Sequence, residues 1–267
     1  MNGINCLIVG YGEVGRAHAH VLARGGINVQ AVDLDPDRVP KEFEAEKKWP
    51  VDLILFAMRY SDSFVDDCLT YIEGRSPKHI GVLTTVPVGT TRRVSAEAFH
   101  STTRGLHPRL DDGLLTIPKH FGGRHAEQMA EIFEGAGFPI GGIHHRPETT
   151  ELAHILNNAA YGANIALAAE MEKVCRHYGV DYTEAVIGYT RTNNIGFERL
   201  DHGSKCRMVL TPPGAKIGGH CVSMSANLVP KELRGPILDR VATFNAEGIP
   251  SVTILGTRHA SRHRDAV

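Results

Sequence analysis

The side chain with the most reactive chemistry in this chain is Cys221, which follows Gly218-Gly219-His220. Glycines free the backbone to bring a thiol close to a ligand. A thiolate adds to an aldehyde, and the thiohemiacetal that results can lose a hydride. Such a thiol needs a lowered pKa, for which His220 or His154 is a source. The plain alternative is a small buried apolar residue, the usual fate of a lone cysteine. A second motif, Gly10-Tyr11-Gly12-Glu13-Val14-Gly15, lies near the N-terminus after an apolar run. Gly10 permits a tight turn, Gly12 lets backbone approach a pyrophosphate, and Gly15 lets helix and strand pack closely. The helix that opens at Glu13 and Val14 supplies N–H donors and a partial positive charge. Asp33, at the end of the next apolar run, can accept both hydroxyls of a ribose and repel a 2′-phosphate, which favours NAD over NADP.

Thr84-Thr85-Val86-Pro87-Val88-Gly89-Thr90-Thr91 follows another apolar run, where a strand end would face a ligand crevice. The hydroxyls of Thr84 and Thr85 and the turn fixed by Pro87 suit a cofactor phosphate or a water. The same residues also read as a plain turn, with Thr90 or Thr91 as helix N-cap. Glu151, His154 and Asn158 stand at i, i+3 and i+7, on one helix face. They offer an acid/base and an amide donor, imidazole having a suitable unperturbed pKa near neutrality. Taken alone, an ordinary solvated helix face is the better reading of them.

These residues need a scaffold. Residues 4–9 read as a strand, the glycine turn leads into a helix to Arg24, and Asn28–Asp33 reads as the second strand. Further strands are expected at Asp52–Ala57 and His79–Thr84, with a helix over Ser63–Glu73 between them. Strands alternating with helices imply a parallel sheet. Residues 102–106 and 114–117 are candidate strands, and Glu127–Gly135 a helix. From Glu148 to Tyr178 only Gly162 interrupts a long helix, with Leu152, Leu156, Ala159, Ala163, Ala166 and Leu167 as an apolar stripe. Thr183–Tyr189 reads as a short helix, 190–220 as largely loop, and Ile237–Leu255 as a last helix with a kink at Pro250. The tail from Thr257 reads as frayed. The fold class expected is α/β: a Rossmann doubly wound parallel sheet, then a long central helix and a small α-helical domain. The boundaries are 1–147 for an NAD-binding domain and 148–267 for a helical dimerisation and substrate domain.

Composition narrows the function classes. Formal net charge is -1, which gives no reason to expect nucleic acid or an anionic membrane as partner. Fifteen histidines are scattered without metal-ligand spacing, so no metal is expected. Five cysteines form no C-x-x-C motif, as in a reduced, cytoplasmic protein. No signal peptide and no transmembrane run are apparent.

With these blocks in order, the chain resembles the UDP-glucose/GDP-mannose dehydrogenase family. The matching pieces are the glycine turn, Thr84–Gly89, Glu151-Leu152-Ala153 through Asn158, Asn164-Ile165-Ala166-Leu167 with Glu170, and Gly218–Cys221. Asn245 and Pro250 fit the family's closing helix. The resemblance implies NAD-dependent, two-step oxidation of a nucleotide sugar's primary alcohol to a carboxylate. It implies that Cys221 holds the aldehyde level, that Thr85 lies by the nicotinamide and a catalytic water, and that Asn158 stabilises the oxyanion. It also implies a homodimer built through the long helix. Departures are visible. The family's helix lysine falls at His154, its aspartate four residues after the cysteine at Ser225, and its Pro-Glu pair after the sixth strand at Pro108-Arg109. Its third, C-terminal nucleotide-binding domain has no counterpart in this sequence. Three readings therefore stay open: a short nucleotide-sugar-type dehydrogenase with altered chemistry, a hydroxyacid-type enzyme working by single hydride transfer on a small substrate, and a nucleotide-binding Rossmann protein without dehydrogenase activity.

Overall fold

The computed structural model describes residues 3–46, 49–212 and 220–247. Its sheet is built on short apolar runs. Strand β1 (Asn5–Val9) and β3 (Leu53–Phe56) are buried over nearly their whole length, as strands covered on both faces must be. They are joined by β2 (Asn28–Val32), β4 (His79–Val82), β5 (Phe99–His100), β6 (Lys119–Gly123) and β7 (Ile140–His144). The order is β2-β1-β3-β4-β5-β6-β7. All neighbours pair in parallel except β5 with β6. The chain leaves β1 towards β2 and returns to β3 on the other side, so the sheet has its switch point between β1 and β3, where such folds bind ligands. The expected doubly wound Rossmann class is what forms.

Helices α1 (Glu13–Arg24), α2 (Phe64–Ile72), α3 (Thr90–Val94), α4 (Leu110–Thr116) and α5 (Ala126–Gly135) link the strands. One core lies on the α1 and α5 side, around Ile8, Leu22, Leu55, Phe121 and Phe133; the other includes Leu7, Ile54, Phe56, Phe64 and Val82. Helix α1 follows elementary rules, with Glu13 in its first turn, Arg24 in its last, and Gly25-Gly26 as its stop.

The second half is helical: α6 (Pro147–Tyr178), a π-helical turn (Thr183–Gly188) running into α7 (Tyr189–Arg199), then α8 (His220–Asn227) and α9 (Pro236–Glu247). The chain divides into two compact units, residues 1–157 and 158–267. The division falls inside α6; the expected 147/148 boundary marks the start of that helix.

Several expectations are corrected. Residues 114–117 belong mostly to α4 and 102–106 form no strand, because Leu110 and Leu114 are spaced to bury one helical face. Of the region 190–220 expected to be largely loop, Tyr189–Arg199 is helical although no residue in it is buried, residues 206–212 carry no regular structure, and 213–219 lie outside the described residues. Pro108-Arg109 follows the fifth strand, not a sixth. The predicted kink at Pro250 and the tail lie outside the described residues.

Candidate functional site

The glycine turn behaves as its spacing predicts. Gly10 has φ +95°, and a Cβ there would fall 2.6 Å from the Met58 backbone nitrogen, so only glycine fits. A Cβ on Gly15 would lie 1.8 Å from the Gly10 carbonyl oxygen. Gly12 differs: a Cβ there would meet nothing within 4 Å, leaving its backbone open at the N-terminus of α1. The amide of Tyr11 donates to Asp33 Oδ2 at 2.7 Å and that of Asp35 to Asp33 Oδ1 at 3.0 Å. Two of about four lone-pair positions of the carboxylate are thus used, and two remain for a ribose. A pocket of ≈ 610 Å³ here is lined by Gly12, Glu13, Arg16, Arg38 and His107, among others. One Glu13 carboxylate oxygen lies 2.6 Å from His107 Nδ1. Val14 packs its side chain against the core, leaving only its backbone to a ligand. An open glycine, free helix N–H groups and a fixed carboxylate are the donor set a dinucleotide requires.

The segment after β4 is held by a device the sequence disguised. Neither Thr90 nor Thr91 caps α3. Its N-cap is Gly89, in the left-handed region at φ +90°, and the capping acceptor is Glu151 on α6. Glu151 is 1% exposed and accepts from the amides of Gly89 at 2.6 Å and Thr91 at 2.8 Å. Its place on the candidate catalytic face is thereby explained structurally. Thr84 donates its hydroxyl to the Met58 carbonyl at 2.7 Å, Thr85 is buried, and Pro87 accepts through its carbonyl from the Thr90 amide.

Beyond this segment lies a group of bases that the sequence reading missed. His100 closes β5, with Nδ1 2.8 Å from Thr150 Oγ1 and Nε2 3.3 Å from the Thr84 carbonyl oxygen. Burial pushes its pKa down to about 3. Lys119, 3% exposed, opens β6 and donates from Nζ to the carbonyls of Ser101 (3.2 Å) and Thr102 (3.0 Å). Burial, then the charge of Arg104, lowers it to about 7. His154 is lowered to about 4 by burial and then by Arg104 and Lys119. At neutral pH it is an uncharged imidazole and a weak base. The one signal in the sequence was a lysine inside Pro118-Lys119-His120-Phe121, a strand too polar to read as buried. Among the described residues, no group of three or more His, Cys, Asp and Glu could hold a metal ion.

In the second unit Asn158 donates from Nδ2 to Ser225 Oγ at 3.1 Å, and Ser225 is fully buried. Position 221 is the second residue of α8, one helical turn before Ser225. Gly218 and Gly219, and the side chains of His220 and Cys221, lie outside the described residues. Arg109 pairs with Asp112 on the surface.

Comparison with known proteins places this geometry. Residues 148–234 match the central domain of the UDP-glucose/GDP-mannose dehydrogenase family. A UDP-N-acetyl-D-mannosamine dehydrogenase of Methanocaldococcus jannaschii is 24% identical, covering 93% of this chain and 67% of its own. One from Methanococcus maripaludis strain C7 is 23% identical, covering 91% and 65%. The chain thus spans about two thirds of the length of the curated relatives it matches. Among solved structures, the UDP-D-ManNAc dehydrogenase of Pyrococcus horikoshii superposes with TM-score 0.75 at 15% identity, covering 91% of this chain and 68% of that one. A 3-hydroxyisobutyrate dehydrogenase of Mycobacterium tuberculosis gives 0.69 at 14% identity, covering 92% and 94%. The family resemblance carried by the motifs holds, and these relatives are dehydrogenases.

Proposed function

We propose that this chain, whose residues 148–234 carry the central domain of the UDP-glucose/GDP-mannose dehydrogenase family, is an NAD-dependent oxidoreductase acting on a CH–OH group. The observation that carries the reading is the open backbone of Gly12 at the N-terminus of α1, with Asp33 fixed beside it. NAD, when bound, supplies the hydride acceptor. Gly12, with the N–H groups of Glu13 and Val14, would hold its pyrophosphate, Gly10 and Gly15 making the turn and the close packing that open this backbone. Asp33 takes the ribose hydroxyls and disfavours a 2′-phosphate. Thr84, Thr85 and Pro87, braced through Glu151, shape the turn against which the alcohol is oriented. Cys221 is the candidate nucleophile, the thiol to which the family resemblance assigns the aldehyde.

Two further features follow from the same reading. The protein is a homodimer through α6, and it resides in the cytoplasm; Cys6, Cys68 and Cys175 are buried free thiols, as suits a reducing compartment. Among the described residues, no helix is long and apolar enough to cross a membrane. A small-molecule substrate is the partner expected.

Two chemistries fit. In one, the alcohol would first give up a hydride to become an aldehyde; a thiohemiacetal on Cys221 would then lose a second hydride to leave a thioester that water hydrolyses to the acid and the free thiol, four electrons in all. Single hydride transfer on a small hydroxy acid needs no thiol. The second is favoured by the cations Arg104 and Lys119, which suit a substrate carboxylate. Calorimetric titration should show NAD binding more tightly than NADP, with Asp33→Ala narrowing the gap; equal affinities in the wild type remove the cofactor assignment. Turnover of alcohols and aldehydes by wild type, Cys221→Ser and His154→Ala then separates the chemistries. Unchanged aldehyde turnover in Cys221→Ser removes the covalent route.

A further inference from the structure

We propose that Arg104 and Lys119, with the hydroxyls of Ser101 and Thr103, form a carboxylate-binding subsite, and that the substrate is a small hydroxy acid. The proposal rests on the oxidoreductase reading for the word substrate, but the subsite stands on its own geometry. Residues 101–104 leave β5 at its C-terminal end, and Lys119 opens the antiparallel β6 at the same end. Both therefore sit where the parallel strands finish, and His100 bridges them to the turn after β4 through the Thr84 carbonyl.

The argument is one of unbalanced charge. Lys119 gives two of its three N–H groups to the carbonyls of Ser101 and Thr102. Arg104 gives Nη2 to the Pro118 carbonyl, next to Lys119 in sequence, and keeps further donors in its fork. No carboxylate pairs with either cation among the described residues. The titratable groups felt around them are all bases: His100 on β5, His120 on β6, His154 on α6 and His18 on α1. A buried ammonium beside a half-buried guanidinium, with no anion between them, costs free energy that a fold normally avoids. Ser101 is fully buried, and neither its Oγ nor Thr103 Oγ1 has a hydrogen-bond partner. Buried hydroxyls left so cost about 1–3 kcal/mol each.

One carboxylate answers every part of this. It accepts two parallel bonds from a guanidinium, a third from the remaining ammonium N–H, and others from hydroxyls. A singly charged group suits the site, since Arg104 is always charged while Lys119 is poised near neutrality. Anion binding would draw Lys119 back towards its protonated form.

The test is calorimetric titration of the full chain, with and without saturating NAD, using 3-hydroxypropanoate and its neutral methyl ester as probes. The acid should bind at least about tenfold more tightly than the ester, and Arg104→Gln and Lys119→Gln should each remove about tenfold or more of that affinity while NAD affinity is kept. Equal binding of acid and ester, no binding of the acid, or unchanged acid affinity in both variants overturns the subsite. NAD binding without acid binding removes the subsite and leaves the oxidoreductase reading. Acid binding without NAD binding does the reverse. If Lys119→Gln fails to fold, Arg104→Gln, at a partly exposed side chain, decides alone.

Discussion

The Glu151 carboxylate ends a helix that belongs to a distant part of the chain. Its two oxygens accept the Gly89 and Thr91 amides in a buried setting. Glu151→Gln keeps the shape but presents an amide N–H to one of those donors. A loss of about 2–3 kcal/mol is expected, since hydrogen bonds to charged groups are worth about 1.5–3 kcal/mol each. Thermal unfolding checks it: Tm should fall by about 4–12 °C, and an unchanged Tm would show the cap to be redundant. Lys119 sets a second expectation. Burial lowers its ammonium from 10.5 to about 7 in the folded chain. Between those values the unfolded chain holds a proton that the folded chain releases, so this residue makes stability rise with pH from 7 to 10.5 by up to about 1.4 kcal/mol per unit. His100 and His154, lowered from 6.5 to about 3 and about 4, act on the acid side. There the unfolded chain gains protons the folded one refuses, and stability falls as pH drops below 6.5. Urea unfolding across pH 4–10 should show both limbs, and Lys119→Met should flatten the alkaline one. The glycine turn and Asp33 were legible at this scale because their spacing is local: Gly10 and Gly15 are demanded by the backbone of the turn, and Asp33 closes the next strand. Glu151 as a cap, and Lys119 as a buried cation, were not: each depends on partners brought from far along the chain.

At the scale of elements, α6 shows how one residue is read correctly and its reason missed. Gly162 looks like a weak point in a long helix. Its absent side chain instead admits two neighbours, since a Cβ would lie 2.7 Å from Val241 Cγ1 on α9 and 2.9 Å from Val222 Cγ1 on α8. Gly162→Ala would gain about 1 kcal/mol of helix propensity. Overpacking against two branched side chains costs about 1–3 kcal/mol. The expected sum is a net loss, seen as a lower urea midpoint with an unchanged slope; a gain would mean that α8 and α9 shift freely. Strands β1 to β4 were legible because each is a bounded apolar run. The strands β6 and β7 were not, since Lys119-His120-Phe121-Gly122-Gly123 and Ile140-Gly141-Gly142-Ile143-His144 carry histidine and glycine where periodicity needs apolar residues. Helix α7 escaped notice for the opposite reason: it buries nothing, so it has no apolar face to read.

The whole molecule poses the question of what covers α6. The stripe read from sequence separates into two. Ala159 and Ala166 turn inward at 1% and 4% exposure, while Leu152, Leu156 and Leu167 stand 42%, 45% and 53% exposed. Val174 and Tyr178, also exposed, fall with those leucines within a sector of about 80° at 100° per residue. Five large apolar side chains along one line of a helix form the kind of patch a monomer seldom leaves in water. A second copy meeting it through a two-fold axis would present the same stripe and bury both at once. Covering the half of each leucine that is exposed is worth about half of the ~1.5–3 kcal/mol of full burial, and the line adds several such contributions. Light scattering at micromolar concentration should give about twice the chain mass of 29.1 kDa. Replacing Leu156 and Leu167 together by Glu should return the mass to that of one chain, because two carboxylates per copy would be buried at the seam without partners. Circular dichroism should leave the helix content of the variant in place, since both positions face outward. A wild type that scatters as a single chain would leave this stripe to some other partner and end the dimer assignment.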